Sequence, residues 1–145
     1  MTNVDELTAT GSATLSATLH GRHVLVVEDS GLLWGMLDET LRDACCLVVG
    51  PYTRVDQAMA ALPAIRTIDV ALLDIDLRGE LVRPLAGELM QRGVPILVTS
   101  AYRRSELSPT LQSAAFLRKP FTGCDLLDGL AALLEHSPGA RTPDC

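Results

Sequence analysis

No cluster of lysine and arginine stands out anywhere in the chain, and the formal net charge is −6, so the electrostatic footprint of a nucleic-acid binder is missing. Direct DNA binding is therefore not expected. No apolar segment approaches the roughly 20 residues that span a bilayer, and the start lacks the basic-then-apolar order of a signal peptide. A membrane role is set aside, and a cytoplasmic location is expected. The four cysteines, Cys45, Cys46, Cys124 and Cys145, have no metal-like spacing, because neighbours on one strand point to opposite faces. They read as reduced, structural thiols.

What is present is a core. The 145 residues, 48% of them hydrophobic, suit one domain and leave no room for a second, effector domain. Residues 1–20 are rich in Thr, Ser and Ala. They are expected to form a flexible arm outside the core, although Leu7, Leu15 and Leu19 could make a weak helix. The domain proper is expected over residues 21–136, and 137–145 as a flexible tail.

Within the domain, apolar runs alternate with helical stripes. His23 to Glu28 reads as a strand, and Ser30 as the N-cap of a helix over Gly31 to Ala44 that buries Leu33, Leu37 and Leu41, with Trp34 beside that stripe. A second strand, Cys46 to Val49, is expected to stop at Gly50-Pro51, before a helix over Val55 to Ile65 that Pro63 breaks late. Asp69 to Asp74 is the third strand and Leu81 to Gln91 the next helix. Gly93 closes that helix, and Val94 to Thr99 and Ala114 to Leu117 supply two more strands. Gly123 to Glu135 is a strongly amphipathic last helix. Between Tyr102 and Ser113, serines and Pro109 interrupt any stripe, which predicts a short or mobile fourth helix.

Five strands alternating with helices predict an α/β fold: a doubly wound, five-stranded parallel sheet with helices on both faces. Right-handed crossovers make the flavodoxin-like strand order 2-1-3-4-5 the leading choice. Such sheets place their chemistry at the carboxyl ends of the strands. The third strand ends in Asp74, and the first in Glu28 and Asp29. As neighbours, these strands bring three like charges together, which calls for a cation; hard oxygen ligands favour Mg²⁺. Thr99 adds a hydroxyl from strand four, and Lys119, after strand five, adds a point charge that can reach back over the site. Carboxylate, metal, hydroxyl and ammonium together suit phosphoryl transfer.

These residues carry a resemblance. Val-Leu-Val-Val-Glu-Asp-Ser at 24–30, Leu-Leu-Asp-Ile-Asp-Leu at 72–77, Ile-Leu-Val-Thr-Ser at 96–100 and Leu-Arg-Lys-Pro-Phe at 117–121 occur in the order of their counterparts in another group of proteins. The chain resembles the receiver domain of two-component response regulators, in its stand-alone form, over about His23 to Glu135. The resemblance implies that Asp74 accepts a phosphoryl group from a phosphohistidine and that Glu28, Asp29 and Asp74 hold Mg²⁺ together with the backbone carbonyl of Asp76. Thr99 and Lys119 would hold the phosphoryl oxygens, and Thr99 and Phe116 would be the switch residues. The Lys119-Pro120 peptide would be cis. The partners implied are a sensor histidine kinase or a histidine phosphotransferase, and a downstream protein that the sequence does not name. Self-association is left open. Such a protein catalyses its own phosphorylation and slow dephosphorylation rather than conventional turnover, and signals by conformational change, relay or action as a phosphate sink.

The chain departs from the family pattern in having Ser100 where a smaller residue is usual, Phe116 without a phenolic hydroxyl, and a weak fourth helix. Each residue also has a plain reading: Glu28-Asp29 as a solvated strand end, Thr99 as an ordinary strand residue, Phe116 as core, Arg103-Arg104 as a solvated turn. The main alternative function is a haloacid-dehalogenase-like phosphatase, with Asp74 as nucleophile and Asp76 as acid/base. That family expects an acidic pair after the lysine, and here the pair precedes the nucleophile. A Toprim module leaves Lys119-Pro120 without a role, and a degenerate receiver would not keep every acceptor-site residue.

Overall fold

A computed structural model describes residues 17–77 and 82–136. The arm before residue 17, the tail after 136 and the expected helix start at Leu81 lie outside the described residues. Strand β1 (His23–Val27) leads to helix α1 (Gly31–Asp43), then β2 (Leu47–Tyr52), α2 (Val55–Ala61), β3 (Val70–Asp74) and α3 (Arg83–Gln91). They are followed by β4 (Ile96–Ser100), a 3₁₀ turn at Arg104–Glu106, the single-turn α4 (Pro109–Gln112), β5 (Ala115–Arg118) and α5 (Gly123–His136). The strands form one parallel sheet in the order β2-β1-β3-β4-β5, the order expected.

Period-two alternation along the strands divides the core between two faces. Leu25, Val27, Ala71, Leu73, Ile96 and Val98 pack on the side of α2 and α3, against Ala58, Leu85 and Leu89. Val24, Val26, Val70, Leu72 and Leu97 pack on the side of α1 and α5, against Leu37, Leu41, Leu126, Leu130 and Leu134. Covered on both sides, β3 and β4 are buried at every position, which is why they read as unbroken apolar runs. Ser30 caps α1, its hydroxyl accepting from the Leu33 N–H at 3.3 Å. Pro63 falls in a 3₁₀ turn (Leu62–Ala64) that ends α2. Leu33 and Trp34 are half-buried against the α1–α5 side.

Three expectations need correction. The second strand does not stop at Gly50-Pro51 but runs through it to Tyr52. Because β2 is an edge strand, a proline without an N–H is tolerated there. Gly50 has φ +109°, where the β1–β2 ladder shifts register, and a Cβ there would come within 2.9 Å of the Val26 carbonyl oxygen and the Tyr52 nitrogen. Glycine is therefore required at a bend within the strand. Leu19, expected outside the core, belongs to it: residues 17–19 are helical, and Leu19 is 1% exposed beside Cys46. Cys45 and Cys46 precede β2 rather than share it. Cys45 is exposed with φ +62°, whereas Cys46 is buried and donates to the Leu19 carbonyl. Burial, with Cys45 adding to it, pushes the Cys46 thiol up to about 11, consistent with an inert structural role.

Candidate functional site

The register of the sheet assembles the site. Val27 pairs with Leu73 across β1 and β3, so the next residues, Glu28 and Asp74, leave the sheet side by side. Asp74 pairs in turn with Thr99 on β4, which is buried. The β4–β5 ladder runs one step past Ser100–Arg118, through an N–H of Lys119 donating to the Ser100 carbonyl at 2.8 Å. Lys119 thus emerges beside the acids, followed by the expected cis peptide to Pro120.

Carboxylate oxygens of Glu28, Asp29 and Asp74 lie within 4.8 Å of one another. Lys119 Nζ stands 2.9 Å from Asp74 Oδ1, 3.6 Å from Asp76 Oδ2 and 4.0 Å from Glu28 Oε2. Asp74, 1% exposed, also accepts from the Asp76 backbone N–H at 2.8 Å, again on Oδ1. Its Oδ2 is buried and makes no hydrogen bond. Four carboxylates against one ammonium leave an excess of negative charge. Burial first, then the Asp74 carboxylate, pushes Glu28 up to about 7, against the opposing pull of the Ser30 N–H and Lys119. Burial pulls Lys119 downward, but its hydrogen bond to Asp74 and the charges of Asp74, Glu28 and Asp76 outweigh that and hold it above its ordinary value.

This arrangement fits a divalent cation. Three hard-oxygen donors converge, one with an uncommitted buried oxygen, and a cation among them would offset both the burial of the Glu28 charge and its repulsion by Asp74.

Solved structures with this architecture are similar in sequence as well. SdrG from Sphingomonas melonis is 31% identical, with a TM-score of 0.67 over 80% of this chain and 98% of its own. The chemotaxis response regulator CheY4 of Vibrio cholerae is 25% identical, with a TM-score of 0.68 over 78% of this chain and 98% of its own. The chain belongs to the receiver-domain family of response regulators. A curated relative, the uncharacterised transcriptional regulatory protein YbdJ of Bacillus subtilis, is 25% identical over 128 residues, 86% of this chain. The receiver chain spans only 56% of that relative's length. No family model matches.

Every site residue named from the receiver's sequence lies at the carboxyl edge of the sheet except Phe116, which sits within β5. Phe116 is half-buried on the α2–α3 side, whereas Asp74 and Thr99 have the strand parity of the α1–α5 side. Arg104 is exposed in a turn, as expected, and it also lies over the Phe116 ring, its guanidinium carbon 5.6 Å from the centroid. Its Nη1 also donates to the carbonyls of Gln112 at 2.7 Å and Ala114 at 2.9 Å. Sequence reasoning also missed the company kept by the Asp76 side chain. Oδ1 accepts from Ser100 Oγ and Oδ2 from the Ala101 N–H, both at 2.8 Å. The one available signal was the serine standing where a smaller residue is usual.

Proposed function

We infer that this receiver accepts a phosphoryl group on Asp74 from a phosphohistidine of a sensor kinase or phosphotransferase. The observation that carries the reading is the state of the Asp74 carboxylate: Oδ1 held by Lys119 and the Asp76 N–H, Oδ2 buried and free. A carboxylate held in this way is oriented before the donor arrives, which lowers the cost of aligning it with phosphorus. The Oδ–P bond forms as the P–N bond to the donor imidazole breaks, and the imidazole leaves with the electron pair. The charge that gathers on the equatorial oxygens is met by the Lys119 ammonium and the Thr99 hydroxyl. Mg²⁺, held by Glu28, Asp29, Asp74 and the Asp76 carbonyl, would supply Lewis-acid neutralisation of that charge.

The product is an acyl phosphate, and its charge biases a two-state equilibrium in which Thr99 and Phe116 are the switch residues. Output then goes to a downstream protein by contact, relay or depletion of phosphate, and the exchange is assigned to the cytoplasm. The phosphatase alternative is disfavoured because both oxygens of Asp76, its would-be acid/base, are engaged by Ser100 and Ala101.

Incubation with Mg²⁺ and a small acyl-phosphate donor, followed by intact mass measurement, tests the reading. One phosphoryl adduct is expected on the wild type and none on Asp74→Ala. Adduct persisting on the variant would move the acceptor elsewhere.

A further inference from the structure

The Asp76 carboxylate joins two parts of the molecule that the receiver must coordinate. On one side it lies 3.6 Å from Lys119 Nζ, the cation that also holds Asp74. On the other it accepts from Ser100 Oγ and the Ala101 N–H, and the same Ser100 Oγ accepts from the Tyr102 N–H at 3.0 Å. One side chain therefore ties the last residue of β4 to the start of the loop that follows it. The turn that aims it is itself tied to the acceptor, because the Asp76 backbone N–H donates to Asp74 Oδ1. Hydrogen bonds to an ionised carboxylate are the stronger kind, so this loop is held by charge as well as by geometry.

Phosphorylation changes the charge that this arrangement must accommodate. The single charge of the Asp74 carboxylate would be replaced by about −1.5 to −2 on phosphoryl oxygens that extend beyond it. Lys119, already nearer to Asp74 than to Asp76, would be drawn to the new oxygens, leaving Asp76 to face them without its shared cation. The repulsion falls on the group that pins Ser100 and Ala101.

Building on the assignment of Asp74 as acceptor, we propose that the Asp76 carboxylate is a positioning residue that latches residues 100–102, the end of β4 and the start of the loop after it, in their unphosphorylated arrangement and lets them go when Asp74 is phosphorylated. The latch works through Ser100 and Ala101 and opposes phosphorylation energetically, since phosphorylation must break it. Removing the latch should shift the free protein toward the phosphorylated arrangement and make a phosphoryl mimic bind more tightly.

The test is amide NMR on the full chain at saturating Mg²⁺, titrated with beryllofluoride as the mimic, for wild type, Asp76→Ala, Asp76→Asn, Ser100→Ala and Asp74→Ala. In wild type the Ala101 and Tyr102 amide signals should move on titration. In Asp76→Ala without mimic they should already lie displaced along the same line, with a several-fold smaller remaining shift and a several-fold lower half-saturation concentration. Ser100→Ala, which leaves the acids untouched, should move them less in the same direction, and Asp76→Asn, which keeps one acceptor oxygen, should fall between wild type and Asp76→Ala. A purely structural role would scatter the signals off that line and leave mimic affinity unchanged or weaker. Variants whose signals stay at the free wild-type positions, or scatter in this way, overturn the latch. Should Asp76→Ala fail to fold, Ser100→Ala and Asp76→Asn decide the matter. Failure of the Asp74 assignment looks different: Asp74→Ala would respond as wild type does, or wild type would not respond at all, and the latch would fall with it.

Discussion

Two regions meet at the carboxyl edge of the sheet, and they are built on opposite principles. The acid end of β1 and β3 is placed by the backbone: the parallel ladder runs to its last residues, and Glu28, Asp74 and Lys119 go where the register sends them. The crossover from β4 to β5 has almost no ladder or helix of its own. Its backbone is satisfied by side chains: Arg104 donates to the carbonyls of Gln112 and Ala114, and Gln112 Nε2 donates to the Leu107 carbonyl at 2.7 Å. Leu107 and Leu111 anchor it in the core. The acid end thus concentrates chemistry on a frame that does not depend on the acids for its folding. In the crossover, single residues carry the local structure.

The contrast sets the expected outcomes. Asp74→Asn should abolish adduct formation entirely while leaving the urea midpoint unchanged or raised, because it removes one of several clustered like charges; a large loss of stability would show that the acids do support the frame. In the crossover, Leu111→Ala should do the reverse, costing about 2–5 kcal/mol of unfolding free energy by the loss of a buried side chain while Asp74 stays phosphorylatable. Urea titration beside the mass assay reads both.

Proton linkage at Glu28 gives a smaller effect confined to the acid end. Its folded-state pKa of about 7 is raised above its ordinary 4.5, so without a cation its contribution to stability is fully present below about 4.5 and is lost as pH rises through about 7. A bound cation favours the ionised form and reverses this. Mg²⁺ affinity should therefore climb by up to about tenfold per pH unit below pH 7, with proton release, and level off above it. Calorimetric titration of wild type and Glu28→Gln checks this, the variant losing the dependence. Smallest is Arg104→Ala, which should cost about 1 kcal/mol and show as faster hydrogen exchange over residues 104–114, with adduct formation retained.

Much of this was legible in the residues. Strands buried on both faces announce themselves as short apolar runs, and the acids at the ends of two of them, with Lys119-Pro120 after a third, point to one edge once the strand order is known. Legibility failed where a residue's role depends on distant partners. Gly50-Pro51 looks like a breaker in isolation, and only the edge position of β2 lets the strand pass through it. Leu19 lies in a polar, low-complexity stretch and reads as arm, yet the space beside Cys46 takes it into the core. Arg104 is solvated as it reads, but its contact with Phe116 left no local mark, because that ring lies 12 positions away along the chain.

By itself the sequence determined the alternation of strands and helices, the weakness of the fourth helix, and which residue types end each strand, because burial and capping leave periodic, local marks. The tertiary structure alone decided what those residues do to one another. Sheet register set Asp74 beside Glu28 and Thr99, burial and then the neighbouring Asp74 raised Glu28, and a turn after β3 brought the Asp76 carboxylate to a serine 24 residues away. Electrostatic and hydrogen-bond energies depend on distance in space, which the order of residues along a chain does not encode until the sheet has folded.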